Sequence, residues 1–258
     1  MTALANLSSA FRGTGRALLD TYRLGGRAFV AAPALVVIAI APEFVQHVVE
    51  IRLGMFDSLA DARALASDPT RWGFGYVKLA GFGLAILLVA RFWALGSVRR
   101  AVLMPPLAIG RLLLALAVVL GTGFLFERIA ALTTSTALWA MINLLSWTLQ
   151  MGLTVWLVAT LVEDRATTIR TAFTSRLPTA ALLLLLLAAA FAPAQMLHGL
   201  NHRWALGQPG WLVWTLMVWD SLVVGLLASL TGSALWVGYA SGASWRGWGV
   251  ARQPATPG

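Results

Sequence analysis

Leu177-Pro-Thr-Ala-Ala-Leu-Leu-Leu-Leu-Leu-Leu-Ala-Ala-Ala-Phe-Ala-Pro-Ala-Gln-Met-Leu197 carries no charge, with Arg176 before it and His198 after it. As a helix rising 1.5 Å per residue, such a run is about 30 Å long, the thickness of a bilayer's hydrocarbon core. Similar runs recur along the 258 residues. They lie at about 28–47, 74–95 and 107–126, at 137–161 within the uncharged stretch 129–162, and within 211–239, where Asp220 is the only charge. The sequence therefore predicts an all-α polytopic bundle of six spans.

Composition agrees. Hydrophobic residues make up 59% of the chain and charged residues 11%, too few to cover a water-facing surface. A net charge of +9 raises the question of nucleic acid, but the basic residues are spread over loops, which excludes a nucleic-acid face. Thirteen of the 19 basic residues fall on one side of the spans: Arg12, Arg16, Arg23 and Arg27 before the first, Arg91, Arg99, Arg100 and Arg111 around the second loop, Arg165, Arg170 and Arg176 around the fourth, and Arg246 and Arg252 after the sixth. Acidic residues lean to the other side. The positive-inside rule then places the protein in a bacterial cytoplasmic (inner) membrane with both termini in the cytoplasm. Trp72, Trp139, Trp204 and Trp211 fall near expected outer ends, and Trp93, Trp236, Trp245 and Trp248 near inner ends, as interfacial indoles do. Ala39-Ile40-Ala41 looks like a leader cleavage site, but the long preceding segment and Pro42 favour a retained span. The chain reads as one membrane domain, with a cytoplasmic amphipathic segment at 1–27, six spans within 28–245, and a cytoplasmic tail at 246–258.

The segments before the odd-numbered spans share a pattern. Leu7, Phe11, Leu18 and Tyr22 form an apolar stripe at helical spacing beside Arg12, Arg16 and Arg23. Ile169, Phe173 and Leu177 repeat it beside Arg165, Arg170 and Arg176. These are expected to be elbow helices on the inner surface, their arginines attracted to anionic head groups. Pro105-Pro106 and Pro178 turn the chain into the spans that follow. Three copies of an elbow plus a hairpin are one reading; basic loops in any six-span protein are the other. On the outer side, Val48, Ile51, Met55, Phe56, Leu59 and Leu65 suggest an interfacial helix ending at Asp68-Pro69.

Few residues carry chemistry. A carboxylate in an apolar span is costly, so Asp220 needs a partner, and Lys78 is the best placed; a structural ion pair is favoured over a relay. Asn143, Ser146, Gln150 and Thr154 form a polar stripe, read as interhelical glue before pore lining. Gly225, Ser229 and Ser233 form a small-residue face, for packing within the chain or for a homo-oligomer. Glu43, His47 and Glu50 share a helical face, and His198 and His202 are spaced i, i+4. If the two segments meet, they offer acceptable zinc or copper ligands, but Gly199 is expected to loosen a helix through the histidine pair, and the favoured reading is ordinary interface residues with no metal. No cysteine, nucleotide loop or hydrolase motif is present.

The arginine-bearing elbow Ala172-Phe-Thr-Ser-Arg-Leu-Pro178 before a hairpin is similar to the six-span YciC-type families and to the membrane domain attached to some glycerophosphodiester phosphodiesterases. That resemblance is one of architecture and carries over no functional residue. It implies a non-catalytic membrane protein. The reading favoured from sequence is therefore a non-enzymatic protein without a cofactor, acting through lipid or protein partners. A small transporter using Asp220 and the Asn143/Gln150 stripe comes second. An outer-face metalloenzyme using His47, His198 and His202 comes third.

Overall fold

The computed structural model describes residues 2–244, with side chains from 11 to 242. The tail at 246–258 with Arg246 and Arg252, and the side chains of Leu7, Trp245 and Trp248, lie outside those residues. Ten helices follow in order: α1 Thr2–Ala31, α2 Pro33–Arg52, α3 Leu59–Ala64, α4 Pro69–Leu95, α5 Val98–Val102, α6 Pro106–Ala131, α7 Thr136–Leu161, α8 Ile169–Thr174, α9 Leu177–Ala205 and α10 Gly210–Ser244. No strand occurs among the described residues. Six helices, α2, α4, α6, α7, α9 and α10, are long and apolar enough to cross a membrane, which fits a multi-pass integral membrane protein. Proline sets several starts: Pro33 and Pro106 stand in the first turns of α2 and α6, where no donor is lost.

The chain divides into two compact units, 18–92 with 187–234, and 93–186 with the two ends of the chain. In the first unit, α2, α4 and α10 meet at alanines: Ala39, Ala85 and Ala228 form one buried cluster with Ile38, Phe82 and Ile86 around it. Glycine allows the close approach. A Cβ on Gly232 of α10 would stand 2.6 Å from the Ile86 carbonyl of α4, and one on Gly225 would meet Ile40 of α2 at 2.5 Å. The small-residue face of α10 is thus used inside the chain, with Ser229 and Ser233 fully buried.

The structure differs from expectation in several places. The first span begins at Pro33, not Ala28, because α1 runs on to Ala31 and breaks at Ala32. Helix α1 turns its small residues Ala17, Thr21 and Ala28 inward, while Phe11 and Tyr22 stay exposed. The loop after α2 is not one interfacial helix. Gly54 takes a left-handed turn (φ +77°), Phe56 packs with Ala205, Val213 and Met217, and only Leu59–Ala64 is α-helical, capped by Ser58. Trp93, placed at an interface by sequence, is buried.

In the second unit, α6 and α7 pack as a hairpin. Gln150 of α7 donates to the Val119 carbonyl at 3.0 Å and to Thr122 at 3.1 Å on α6. The Phe173 ring of α8 lies over Gly152.

Gly232→Ala is expected to lower the melting stability of detergent-solubilised protein by about 1–3 kcal/mol, because a rigid backbone carbonyl blocks the added methyl. Gly83→Ala, at a helical site with nothing near its Cβ position, is expected to be neutral or mildly stabilising. Equal effects at the two sites would contradict the packing.

Candidate metal centre

The buried stripe of α2 changes character along its length. Leu35, Val36 and Ala39 are followed on the same face by Glu43, Gln46, His47 and Glu50. That polar end meets His198, Asn201 and His202 of α9, Asp220 of α10, and Arg71 and Lys78 of α4. All of these residues belong to the first unit. Glycine at position 199 does not interrupt α9, so the two histidines stay one turn apart. Their ring centroids are 4.8 Å apart, and the His47 ring is 5.1 Å from that of His202.

Asp220 Oδ2 is the focus. His198 Nδ1 lies 2.7 Å from it, His47 Nε2 3.1 Å and His202 Nε2 3.4 Å. Asn201 holds the other oxygen through Nδ2 at 2.7 Å. His47 stands among three carboxylates. Its Nε2 is also 3.2 Å from Glu43 Oε1, and its Nδ1 is 3.1 Å from Glu50 Oε2. Two cations approach from α4: Lys78 Nζ reaches Glu43 Oε1 at 2.9 Å, and Arg71 Nε reaches Glu50 Oε1 at 2.9 Å. Gln46 donates to the same Glu50 oxygen. Glu43, His47, Glu50, Asn201 and Asp220 have no exposed surface, whereas the side chains of His198 and His202 are 14% and 24% exposed. The centre is therefore dry on the α2 and α10 sides and open past the two α9 histidines. The Phe56 ring stands 5.7 Å from that of His202.

Three carboxylates against one lysine and one arginine leave one negative charge when the imidazoles are neutral. A buried net charge is costly, so the centre calls for one more cation. Glu43, His198, His202 and Asp220 offer donor atoms all within 4.8 Å of one another, and so do His47, Glu50 and His202. Two buried atoms of these sets, Glu43 Oε2 and His202 Nε2, make no hydrogen bond. Imidazole nitrogen with carboxylate oxygen is the ordinary donor set of zinc, whose ligands sit roughly 2.0–2.2 Å from the ion. The residues present thus fit a divalent ion.

Lys78 does not serve Asp220, as the sequence suggested, but Glu43; the aspartate is held by histidines and an asparagine. The Asn143/Gln150 stripe is elsewhere, in the second unit. Gln150 bridges to α6, and Asn143 donates to the Trp139 carbonyl of its own helix and lines a shallow groove with Ser146. Arg12, Arg16, Arg165 and Arg170 are exposed, Arg23 pairs loosely with Asp20, and Arg176 is buried beside Asp164. Sequence reasoning missed Arg71, Gln46 and Asn201. Arg71 lies two turns before Lys78 on the same face of α4, and Asn201 sits inside the His198–His202 segment, so their positions were readable once the two segments were known to meet.

Comparison with family models, curated proteins and solved structures finds no match to this chain, so the architectural resemblance drawn from sequence stands without support from any family. What the fold and this cluster define is a class, a six-helix integral membrane protein with a buried histidine–carboxylate centre.

Lys78→Met is expected to destabilise the folded protein by about 3 kcal/mol, because buried Glu43 would lose its one fixed cation and keep only His47 beside it. Adding Glu43→Gln should restore part of that loss in a double-mutant cycle read by detergent melts. A larger coupling of Lys78 to Asp220 than to Glu43 would reverse the assignment.

Proposed function

We propose that this protein binds one divalent transition-metal ion, zinc in the first instance, at the Glu43, His198, His202 and Asp220 cluster, with His47 and Glu50 completing the site. The observation that carries this is the convergence of three imidazoles and three carboxylates, short of one positive charge, with Glu43 Oε2 unsatisfied and His202 Nε2 held only at 3.4 Å. A bound ion of this kind would supply Lewis acidity toward a substrate oxygen or a water molecule. Glu43 would offer its free Oε2 to the ion, while Lys78 holds its other oxygen. Arg71 and Gln46 fix Glu50, which in turn orients His47. Asn201 orients Asp220. Oriented ligands of this type raise metal affinity and hold a reactive geometry. The partly exposed edges of His198 and His202 give a substrate access. The reading is therefore a metal-dependent hydrolytic protein of the cytoplasmic membrane. The arginine distribution supports both termini inside, which puts the centre near the outer face. This reading takes the place of the non-enzymatic scaffold favoured from sequence.

A second reading draws on His47 alone. Both of its ring nitrogens face carboxylates, as an imidazolium's do, and one proton there supplies the missing charge. The centre would then be a proton relay.

Elemental analysis separates the two. Protein purified in detergent through a tag without histidine, and without chelator, is expected to carry about one zinc per chain. His202→Ala and Asp220→Ala should each lose it while Gln150→Ala retains it. Folded wild-type protein free of metal, and unable to take up zinc or copper on titration, would refute the metal reading and leave proton flux in liposomes as the next assay.

A further inference from the structure

The second unit holds a cavity of about 600 Å³ formed by the start of α6, the end of α7 and the turn that leads into α8. Its lining combines Arg111, Arg165 and Arg170 with the apolar Leu107, Leu114 and Trp156, and the carboxylates of Glu163 and Asp164 leave it one positive charge in excess. Among the described residues, none of these three guanidinium groups has a hydrogen bond or ion pair. Leu107 and Leu114 are 63% and 59% exposed.

The turn is firmly built. Glu163 takes a left-handed conformation (φ 61°), uncommon for a residue with a side chain. Asp164 accepts from the Tyr239 hydroxyl, from Thr167 at 2.9 Å and from the Ala166 amide at 2.9 Å, with Arg176 at 3.6 Å. Burial alone would raise the Asp164 pKa; these donors and the nearby cation outweigh it and hold the carboxyl below its ordinary range. Asp164 is thus spent on holding the turn and its charge is met by Arg176, so it opposes an anion in the cavity little. Thr168 and Thr171 close a capping box that fixes the start of α8, and with it Arg170.

The cavity lies where two candidate spans end, α6 at Pro106 and α7 at Leu161. A soluble anion has no use for an exposed leucine wall, and an apolar ligand has no use for three unpaired guanidinium groups. A phosphodiester carrying acyl chains uses both. We propose that this cavity binds an anionic phospholipid, Arg111, Arg165 and Arg170 pairing with its head group and the Leu107, Leu114 and Trp156 wall taking the upper part of one chain. Arginine suits this role because its fork matches phosphate oxygens two at a time. The site is independent of the metal centre, in a different unit and on different residues.

The test uses the full chain, delipidated in detergent, with phosphatidylglycerol and phosphatidylcholine as probes and native mass spectrometry as readout. Wild-type protein is expected to hold one phosphatidylglycerol in preference to phosphatidylcholine. The variant Arg111→Gln/Arg165→Gln/Arg170→Gln should lose that preference by about a hundredfold. Arg16→Gln/Arg27→Gln, outside the cavity, should keep it. Ala108→Phe, which fills the lining and leaves the arginines in place, should also lose it, and this carries the test if the triple variant does not fold. Equal losses in the cavity and control variants would show general surface charge and overturn the proposal. Displacement of the lipid by inorganic phosphate or glycerol phosphate at matched concentration would identify a soluble anion and overturn it too.

Discussion

A carboxylate with no access to solvent, in the middle of an apolar helix, constrains everything around it. Asp220 is fully buried, and the chain surrounds it with Asn201, His47, His198 and His202. Each of those donors needs its own support. His47 is held by Glu43 and Glu50, which draw Lys78 and Arg71 from α4. Four helices are thereby tied to one oxygen atom. The apolar contacts nearby follow the same geometry. Helices α2, α4 and α10 can bring these groups together because alanines and glycines let their backbones approach at Ala39, Ala85, Ala228 and Gly232. A membrane offers no hydrophobic drive between helices, so such close packing and polar contacts must supply the association.

The class of fold was readable because a span announces itself by length and lack of charge, which are local properties. All six helices were legible, and most boundaries shifted by only a few residues. The errors arose where tertiary contact overrode pattern. Phe11 and Tyr22 formed the more hydrophobic stripe of α1, but the helix buries Ala17, Thr21 and Ala28 instead, since small residues permit the closer approach at Gly25 beside Leu230. The loop from 53 to 68 had an apolar periodicity, yet Gly54 and the docking of Phe56 broke it into a turn and a short helix.

The site shows a different limit. Glu43, His47, Glu50, His198, His202 and Asp220 were each marked by residue type and spacing, but nothing in the sequence tells which helix neighbours which. Lys78 could be matched with either Glu43 or Asp220 by depth alone. The choice depends on helix rotation, because Lys78 and Arg71 share a face of α4 that is turned to the carboxylates of α2. Once that face is filled, only neutral donors and imidazoles are left for Asp220. The histidines then follow as a consequence of where the two cations went.

The same reasoning weighs a proton against a metal ion as the missing charge. A proton on His47 neutralises the centre, and Glu43, Glu50 and Asp220 are all placed to receive its two N–H bonds. It does nothing for Glu43 Oε2, which stays buried without a partner at a cost of about 1–3 kcal/mol, and little for His202 Nε2, whose contact with Asp220 Oδ2 is long at 3.4 Å. It also leaves no reason for a third imidazole to crowd an oxygen that already faces two. A divalent ion needs three or four donors close together, at least one of them anionic, and it would use Glu43 Oε2, which the proton leaves idle, together with the weakly held His202 Nε2. A divalent ion would overshoot the missing charge by one, which a further anion at the site would have to meet. The metal ion therefore accounts for more of the arrangement with one assumption, and the number of donors, not their charge alone, decides between the two.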